Sequence, residues 1–219
     1  MPEDVLVNDV EDPIGSIILS VYPVYLENLG NPTYHQQRSI LAPTHEIVNI
    51  INDRMMESLD GDARIFLSSD IICQTERDSH FNSELYTTDY LNRINIGGLP
   101  KHNLILKVGV PVILLRNVVQ SRGLCNGTRL QITEQMDKMI KAKILTRTHV
   151  GTITAIPRML IVPSDKRIPF RFQRRQYPIS MCITMTIKAN ASLSRMWVYS
   201  FQNHFNFMLH SRELRQKRD

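Results

Sequence analysis

Residues 99–130 contain two apolar runs with the character of β-strands, and this stretch limits the fold more than any other. Leu104, Leu106, Val108 and Val110 occupy alternate positions, and residues 111–115 form a continuous apolar run. Asn126-Gly127 follows, a pair that favours the tight turn of a hairpin and a positive φ at the glycine. We therefore predict a small β unit. The residues predicted to face its interior are Val108, Val110, Val112 and Leu114.

The charge of the chain is divided unevenly along its 219 residues. Residues 1–100 hold 16 acidic and 5 basic side chains, whereas residues 101–219 hold 5 acidic and 21 basic ones. A strongly basic half attracts phosphate polyanions, which favours contact with nucleic acid. The alternative is a solvated basic surface that pairs with the acidic half.

The thiols, the histidines and the hydropathy exclude several classes of protein. Cys73, Cys125 and Cys182 lie far apart without a C-x-x-C pair, which predicts neither a disulfide framework nor a zinc site and fits a reducing compartment. The histidines lack metal-ligand spacing. No apolar run approaches the roughly 20 residues that span a bilayer, and the acidic start lacks a signal-peptide core. These features predict a soluble intracellular protein.

The sequence contains no G-x-x-x-x-G-K-[S/T] phosphate loop and no Asp-Glu pair placed after a strand to hold magnesium. We therefore expect the chain alone to bind no cofactor and no metal, and to hydrolyse no ATP.

The clearest helix signal follows a short apolar strand at residues 38–42. Pro43 stops the strand, Thr44 is a good N-cap, and an apolar residue recurs every fourth position from residue 47 to residue 59. Gly61 marks the predicted helix end, and residues 64–67 form a second strand. This order predicts an α/β unit with a parallel sheet.

Further elements follow along the chain. Residues 83–94 predict a helix, and buried strands are predicted at 179–187 and 196–199. The short strands predicted after the first hairpin, at hairpin-like intervals, are residues 130–133, 139–145 and 152–157. The simplest arrangement is an α/β lobe interrupted by a compact barrel.

Two segments resemble a helicase family. Residues 99–130 are similar to the insertion domain of DNA helicases of the petite-integration-frequency type, which Helitron transposons also carry. Residues 39–52 read S-I-L-A-P-T-H-x-x-V-x-x-I-N and resemble the family motif I-L-A-P-T-N-x-x-V-x-x-I-N at the start of the second RecA lobe. His45 replaces the motif's asparagine. The strand-to-helix turn at Thr44 and His45 presents N–H groups to an anion.

A basic cluster at residues 166–178 is the third segment. It places five basic residues within ten positions and interleaves them with aromatic rings. One interpretation has Arg171, Arg174 and Arg175 bind phosphates while the rings stack on bases; the alternative is a strand with its rings inward and its arginines in solvent. The segment is similar to the family's R-R-Q-x-P approach to a DNA-contact motif.

The last two motifs depart from the family pattern. Where the family has A-M-T-I-N-K-S-Q-G-Q-S-L, residues 184–193 are two positions shorter and lack S-Q-G, which leaves Thr186 and Lys188 to meet a phosphate. The family ending H-G-Q-x-Y-V-A-x-S-R is matched poorly by residues 204–212, and Arg212 is the one candidate for its γ-phosphate arginine. The alternative places Arg212 in a solvated charged tail.

The resemblance implies a fold class and a domain order. The fold is α/β, a partial RecA-like lobe of the P-loop NTPase type with an inserted small all-β barrel. The predicted order is an acidic lead-in (1–36), the first part of the second RecA-like lobe (37–98), the barrel (99–165), the second part of the lobe (166–210) and a charged tail (211–219).

The implied function is the C-terminal half of a 5′→3′ ATP-dependent DNA helicase. Intact relatives unwind DNA in repair, recombination, telomere maintenance or Helitron transposition, use ATP and Mg²⁺, and act in the nucleus. The expected partners are single-stranded DNA and a missing ATP-binding half, with no membrane. The alternatives are a stand-alone nucleic-acid-binding module and a protein-interaction domain that pairs through strand edges.

Overall fold

The chain has a mixed α/β fold rich in antiparallel sheet. The computed structural model describes residues 6–7, 11–36, 38–73, 86–146, 149–163, 165, 168–186, 195–202 and 206–213. The helices there are α1 (Pro13–Val21), α2 (Pro32–Gln36), α3 (His45–Glu57) and α4 (Thr88–Arg93), with a 3₁₀ turn at Gln120–Arg122. None of these helices combines the length and apolar character that crossing a membrane requires.

The strands are short and follow one another closely. In chain order they are β1 (Leu6–Val7), β2 (Ile40–Ala42), β3 (Arg64–Leu67), β4 (Ser69–Ile72), β5 (Asn103–Leu106), β6 (Pro111–Leu114), β7 (Arg129–Gln135), β8 (Met139–Ile144), β9 (Ile153–Pro157), β10 (Met159–Ile161), β11 (Phe172–Gln176), β12 (Ile179–Met181), β13 (Thr184–Thr186), β14 (Arg195–Gln202) and β15 (Asn206–Glu213).

The largest sheet is antiparallel, with strand order β12-β6-β7-β8-β9. A second antiparallel sheet has the order β10-β11-β4, a third has β1-β15-β14, and β3 pairs with β5. Strands from residues 37–98, 99–165 and 166–210 thus share the second sheet. The sheets therefore cross the boundaries that the sequence predicts between lobe and β unit.

Helix α3 forms where its sequence predicts it. The Thr44 hydroxyl accepts a hydrogen bond from the Ile47 N–H at 3.4 Å, which caps the helix, and Glu46 lies in the first turn, where the helix dipole favours a negative charge. Ile51 and Met55 are buried one turn apart and join the main core. The helix ends at Glu57 with Ser58 as its C-cap, earlier than Gly61 predicts.

The predicted parallel unit is present with a different partner. Strand β2 pairs in parallel with β13, so that Ile40 lies opposite Thr184 and Ala42 opposite Thr186. The prediction that β2 and β3 belong to one parallel unit is wrong, because β3 pairs antiparallel with β5. Strand β3 buries Phe66 and exposes Ile65 and Leu67, which suits a sheet with one solvated face.

The turn and the interior of the β unit differ in part from the prediction. Gly127 has φ +84°, as predicted. The 14 residues between β6 and β7 include the 3₁₀ turn, so Asn126-Gly127 turns inside a longer connection rather than closing a two-residue hairpin. Val108 is 53% exposed, contrary to prediction, because β5 ends at Leu106 and Val108 lies in the following turn with Gly109, whose φ is +91°. The residues confirmed as buried are Val110, Val112 and Leu114.

Two other predicted segments are shorter than expected. The helix predicted over residues 83–94 spans Thr88–Arg93, because the Thr87 hydroxyl accepts from the Tyr90 N–H and caps it there; residues 83–85 lie outside the described part. The strand predicted over 179–187 is divided into β12 and β13, with a break at Cys182 and Ile183.

Candidate nucleic-acid interface

The parallel pair β2–β13 brings three of the predicted site residues to one edge. Thr186 ends β13 beside Ala42, and Thr44 follows Ala42 by two positions, with His45 opening α3. Thr44 and His45 are exposed and Thr186 is half-buried. The carboxyl ends of parallel strands are where ligands bind in open α/β sheets. This edge therefore offers two hydroxyls and a helix N-terminus to an anion.

Asn52 holds the helix and the strand of this edge together. Its side chain accepts a hydrogen bond from the Thr184 N–H at 3.0 Å and donates to the Thr184 carbonyl at 3.5 Å, and Asn52 is 6% exposed. One amide thus ties helix α3 to strand β13. Sequence reasoning did not select Asn52 as a functional residue, although it closes the quoted I-N pair of residues 51–52.

The basic cluster lies on strand β11, in a different sheet. Along β11 the side chains alternate, with Phe172, Arg174 and Gln176 buried and Arg175 exposed. Arg171, just before the strand, is exposed on the same side as Arg175, two alternations away. Arg171 and Arg175 are therefore exposed on one face of the strand, with half-buried Gln173 between them.

Arg174 points into the protein and not toward a ligand. Its Nε lies 2.9 Å and its Nη2 2.6 Å from Oδ2 of Asp70, and both side chains of the pair are fully buried. Its remaining N–H groups donate to backbone carbonyls of residues 91, 94 and 100. All five guanidinium donors are used internally, so the prediction that Arg174 contacts DNA does not hold for this conformation.

The aromatic rings of the cluster are also internal. Phe170 is 5% exposed, and Phe172 and Tyr177 are fully buried. The ring centroids of Phe170 and Phe172 are 6.0 Å apart, and Phe66 meets Tyr177 edge to face at 5.3 Å. These rings are core residues and offer no surface for base stacking. For the rings, the alternative of an inward-facing strand side is confirmed.

For the remaining predicted site residues, the structure gives the backbone position or no position. Lys188 lies outside the described residues, as do Lys166 and Arg167. Arg212 lies in β15 with its Cα opposite that of Met196, so it belongs to a strand and not to a charged tail.

Arg129 is a second buried arginine that sequence reasoning missed. It is 1% exposed and donates to the carbonyls of His35 at 2.5 Å, Arg38 at 3.3 Å and Cys182 at 3.3 Å. These carbonyls come from α2, from the approach to β2 and from the break between β12 and β13. The side chain thereby holds three segments together, and its charge is withdrawn from the basic surface.

His35 is buried beside this guanidinium. Its Nε2 lies 3.1 Å from the Leu29 carbonyl, which can only accept, so the neutral ring carries its proton on Nε2. Burial, together with the nearby charges of Arg129 and Arg38, lowers the pKa of His35 from 6.5 to about 4. His35 is therefore a neutral core residue at physiological pH and not a site for an anion.

The described segments contain no group of three or more His, Cys, Asp or Glu side chains arranged to hold a metal ion. Cys73, Cys125 and Cys182 are free thiols. Arginine and hydroxyl groups, as at exposed Arg171, Arg175 and Thr44, are groups that can bind an anion.

One protein-family model is similar to part of this chain. The family model of the 2B domain of the DNA helicase Pif1 matches residues 89–135. No curated protein sequence matches the chain.

Solved structures of Pif1 helicases share the fold at low identity. The structure matches Pif1 from Candida albicans with a TM-score of 0.53 at 17% identity, covering 79% of this chain and 46% of that one. Unliganded Pif1 from Bacteroides sp. matches with a TM-score of 0.51 at 14% identity, covering 74% and 46%. Bacteroides Pif1 bound to ssDNA matches with a TM-score of 0.51 at 15% identity, covering 88% and 43%.

The chain spans less than half the length of each of these helicases. The 2B match and the shared fold confirm the resemblance that the sequence motifs indicate. The chain therefore shares its fold with Pif1 helicases, and its residues 89–135 match the 2B domain of that helicase.

Proposed function

We propose that this chain binds single-stranded DNA as the C-terminal part of a Pif1-type 5′→3′ DNA helicase, and that it hydrolyses no ATP on its own. In this proposal ATP and Mg²⁺ are held by residues that this chain does not supply. The unwinding of DNA in the nucleus then belongs to a complete helicase that contains such a part.

The observation that carries the proposal is the outward side of β11. Arg171 and Arg175 are exposed on one face of a strand in a fold shared with a Pif1 that is bound to ssDNA. Same-face residues on a strand recur about every 7 Å. The α-carbons of Arg171 and Arg175 are thus about 13 Å apart along the strand, a spacing that suits a nucleic-acid backbone running along β11.

A second contact region supports the same proposal. Thr44, His45 and Thr186 lie at the carboxyl edge of β2 and β13, where a helix N-terminus and two hydroxyls are groups that can bind an anion. Their contribution is expected to be smaller than that of the arginines, because a neutral hydrogen bond to a phosphate is weaker than a charge-assisted one.

The test is binding of a fluorescent oligothymidine to the full chain over a range of salt concentrations. We expect affinity to fall steeply with salt, because each phosphate contact releases a counterion. Replacing both Arg171 and Arg175 with alanine should flatten the slope of log K against log salt by about 1.4, at about 0.7 per contact on a single strand.

The matched control removes two exposed basic residues from the β unit, Arg122 and Lys138. An equal loss of DNA affinity in this control would show that the effect is bulk electrostatics. Arg171 and Arg175 would then not form a specific DNA-binding site. Affinity independent of salt, or no binding, would reject single-stranded DNA as the ligand.

One observation favours a protein partner as the second candidate. Large aliphatic side chains are exposed on β3, β4 and β10: Ile65 (57%), Leu67 (56%), Ile71 (49%) and Leu160 (61%). Leu160 and Ser69 flank Arg175 in one cross-strand row, and Ile71 lies opposite Gln173. Exposed apolar patches rimmed by polar residues mark interaction sites. A chain that binds no DNA but loses a protein partner on Leu160→Asp would favour this candidate.

A further inference from the structure

The buried polar side chains of strand β11 form hydrogen bonds to one segment of the chain, residues 91–102. Arg174 donates to the carbonyls of Leu91 at 2.8 Å, Ile94 at 3.1 Å and Pro100 at 2.9 Å. These three acceptors lie within ten residues, near the start of the segment that matches the 2B domain. A guanidinium presents its donors in a rigid planar fork, so it can bond three carbonyls and a carboxylate at once, whereas a lysine ammonium has three donors on a flexible stem.

Gln176 continues the grip two residues along the same face. Its amide Nε2 donates to the carbonyls of Phe66 at 2.7 Å and His102 at 3.0 Å, and its Oε1 accepts from the Tyr177 N–H at 3.0 Å. Gln176 is fully buried. The second contact is therefore also made to the 2B-type segment, just after the acceptors of Arg174.

Asp70 and Ser68 complete the arrangement from strand β4 and its approach. Asp70 neutralises Arg174, and the Ser68 hydroxyl donates to Asp70 Oδ1 at 2.6 Å. The Ser68 hydroxyl also meets His102 Nδ1 at 2.8 Å, and the Ser68 N–H donates to the His102 carbonyl at 2.9 Å. The 2B-type segment is thus held at residues 91–102 by hydrogen bonds from strand β11 and from Ser68, the residue before β4.

We infer that Arg174 and Gln176 are positioning residues that fix the start of the 2B-type segment to the strand whose outer face carries Arg171 and Arg175. The DNA part of this inference rests on the proposed function. Neighbouring residues of a strand point to opposite faces while sharing a peptide unit. A phosphate bound to Arg175 would therefore restrict the backbone that it shares with Arg174. Because Arg174 bonds carbonyls within residues 91–102, DNA bound on the outer face would also reduce the motion of that segment on the inner face.

The experiment follows backbone amide exchange in the full chain, with and without saturating oligothymidine. The amides of Leu91, Ile94 and Leu99 report on the segment, because each donates to a backbone carbonyl within it or next to it. Arg174→Lys keeps the charge opposite Asp70 and loses the fork, and Arg175→Lys is the matched control on the neighbouring residue. In the free protein we expect Arg174→Lys to speed exchange at these amides about tenfold, and Arg175→Lys to leave it unchanged.

Bound DNA should slow exchange at the same amides severalfold in the native chain, and this slowing should disappear in Arg174→Lys. Unchanged exchange in free Arg174→Lys would overturn the positioning role. Slowing at β11 without slowing at residues 91–102 would overturn the coupling. If the chain binds no DNA, the proposed function is rejected but the positioning role is not. The comparison of the free proteins still decides whether Arg174 holds the segment.

Gln176→Met serves if Arg174→Lys does not fold, because it keeps the side-chain volume and removes both donors. Its expected effect is faster exchange across residues 99–103. Exchange there equal to that of the native chain would again reject the positioning role.

Discussion

Asn52 and Thr184 form a reciprocal pair, in which one side-chain amide bonds both the N–H and the carbonyl of one backbone residue. The two residues are 132 positions apart, and the pair joins the helix that follows Thr44 to the strand that ends at Thr186. The candidate anion site at the edge of β2 and β13 therefore depends on an amide that is itself buried.

Replacing Asn52 with leucine should lower the free energy of unfolding by about 1–3 kcal/mol, because the Thr184 backbone groups stay buried without their partner. Urea unfolding measures this change. Asn49→Leu on the same helix is the control, since the Asn49 side chain bonds Lys101 at an exposed position. Equal losses in the two variants would show that the Asn52 pair is not what holds α3 to β13.

Stability should depend on the ionisation of His35. The pKa of His35 is lowered from 6.5 to about 4 in the folded chain, so the unfolded chain takes up the proton first as pH falls. The contribution of the neutral ring is complete above pH 6.5 and is lost toward pH 4, amounting to about 3 kcal/mol at most.

Urea unfolding of the native chain and of His35→Gln between pH 7 and pH 4 isolates this contribution. Glutamine can still donate to the Leu29 carbonyl but does not titrate. His45→Gln, at an exposed histidine, controls for the substitution. A native chain and a His35→Gln variant with parallel pH profiles would contradict the assignment.

Gly127 should not tolerate a β-branched side chain. Its φ of +84° lies in the region that such residues avoid, so Gly127→Val should cost more than about 1 kcal/mol of unfolding free energy. Gly30→Val is the control, because a Cβ on Gly30 would meet no atom within 4 Å. If thermal unfolding gives Gly127→Val and Gly30→Val the same loss of stability, the turn can adapt to a β-branched side chain.

The purified chain should show no ATP hydrolysis with or without single-stranded DNA, since its sequence lacks a phosphate loop and an acidic magnesium pair. A phosphate-release assay measures this directly. DNA-stimulated turnover of even about 0.1 s⁻¹, far below typical enzymes, would contradict the proposal that ATP is held elsewhere.

Local sequence signals predicted local structure well. Thr44 and the apolar spacing of α3 act within a few residues, and the cap and the helix form where they indicate. Gly127 is a further example, since the turn that needs its positive φ is closed by neighbours: the Thr128 N–H donates to the Cys125 carbonyl.

Features set by distant residues could not be predicted. Arg174 and Arg175 are identical neighbours in the sequence, and only the strand phase and the presence of Asp70 opposite Arg174 decide that Arg174 is buried. The partner of β2 lies beyond the whole β unit, at residues 184–186, and no local pattern names it. Arg129 is buried by carbonyls from three separate segments, which leave no signal near residue 129 itself.

The parallel pair of β2 and β13 also sets an order of folding. Its strands are separated by residues 43–183, so the pair closes a very long loop, whereas β7, β8 and β9 pair between neighbours in the sequence. Loop closure at such distance is entropically expensive and slow. We expect the antiparallel meander to acquire protected amides first during refolding and β2 with β13 last; pulse-labelled exchange would refute this order if both became protected together. In synthesis on the ribosome, α3 and its strand would then wait for more than 120 further residues before docking.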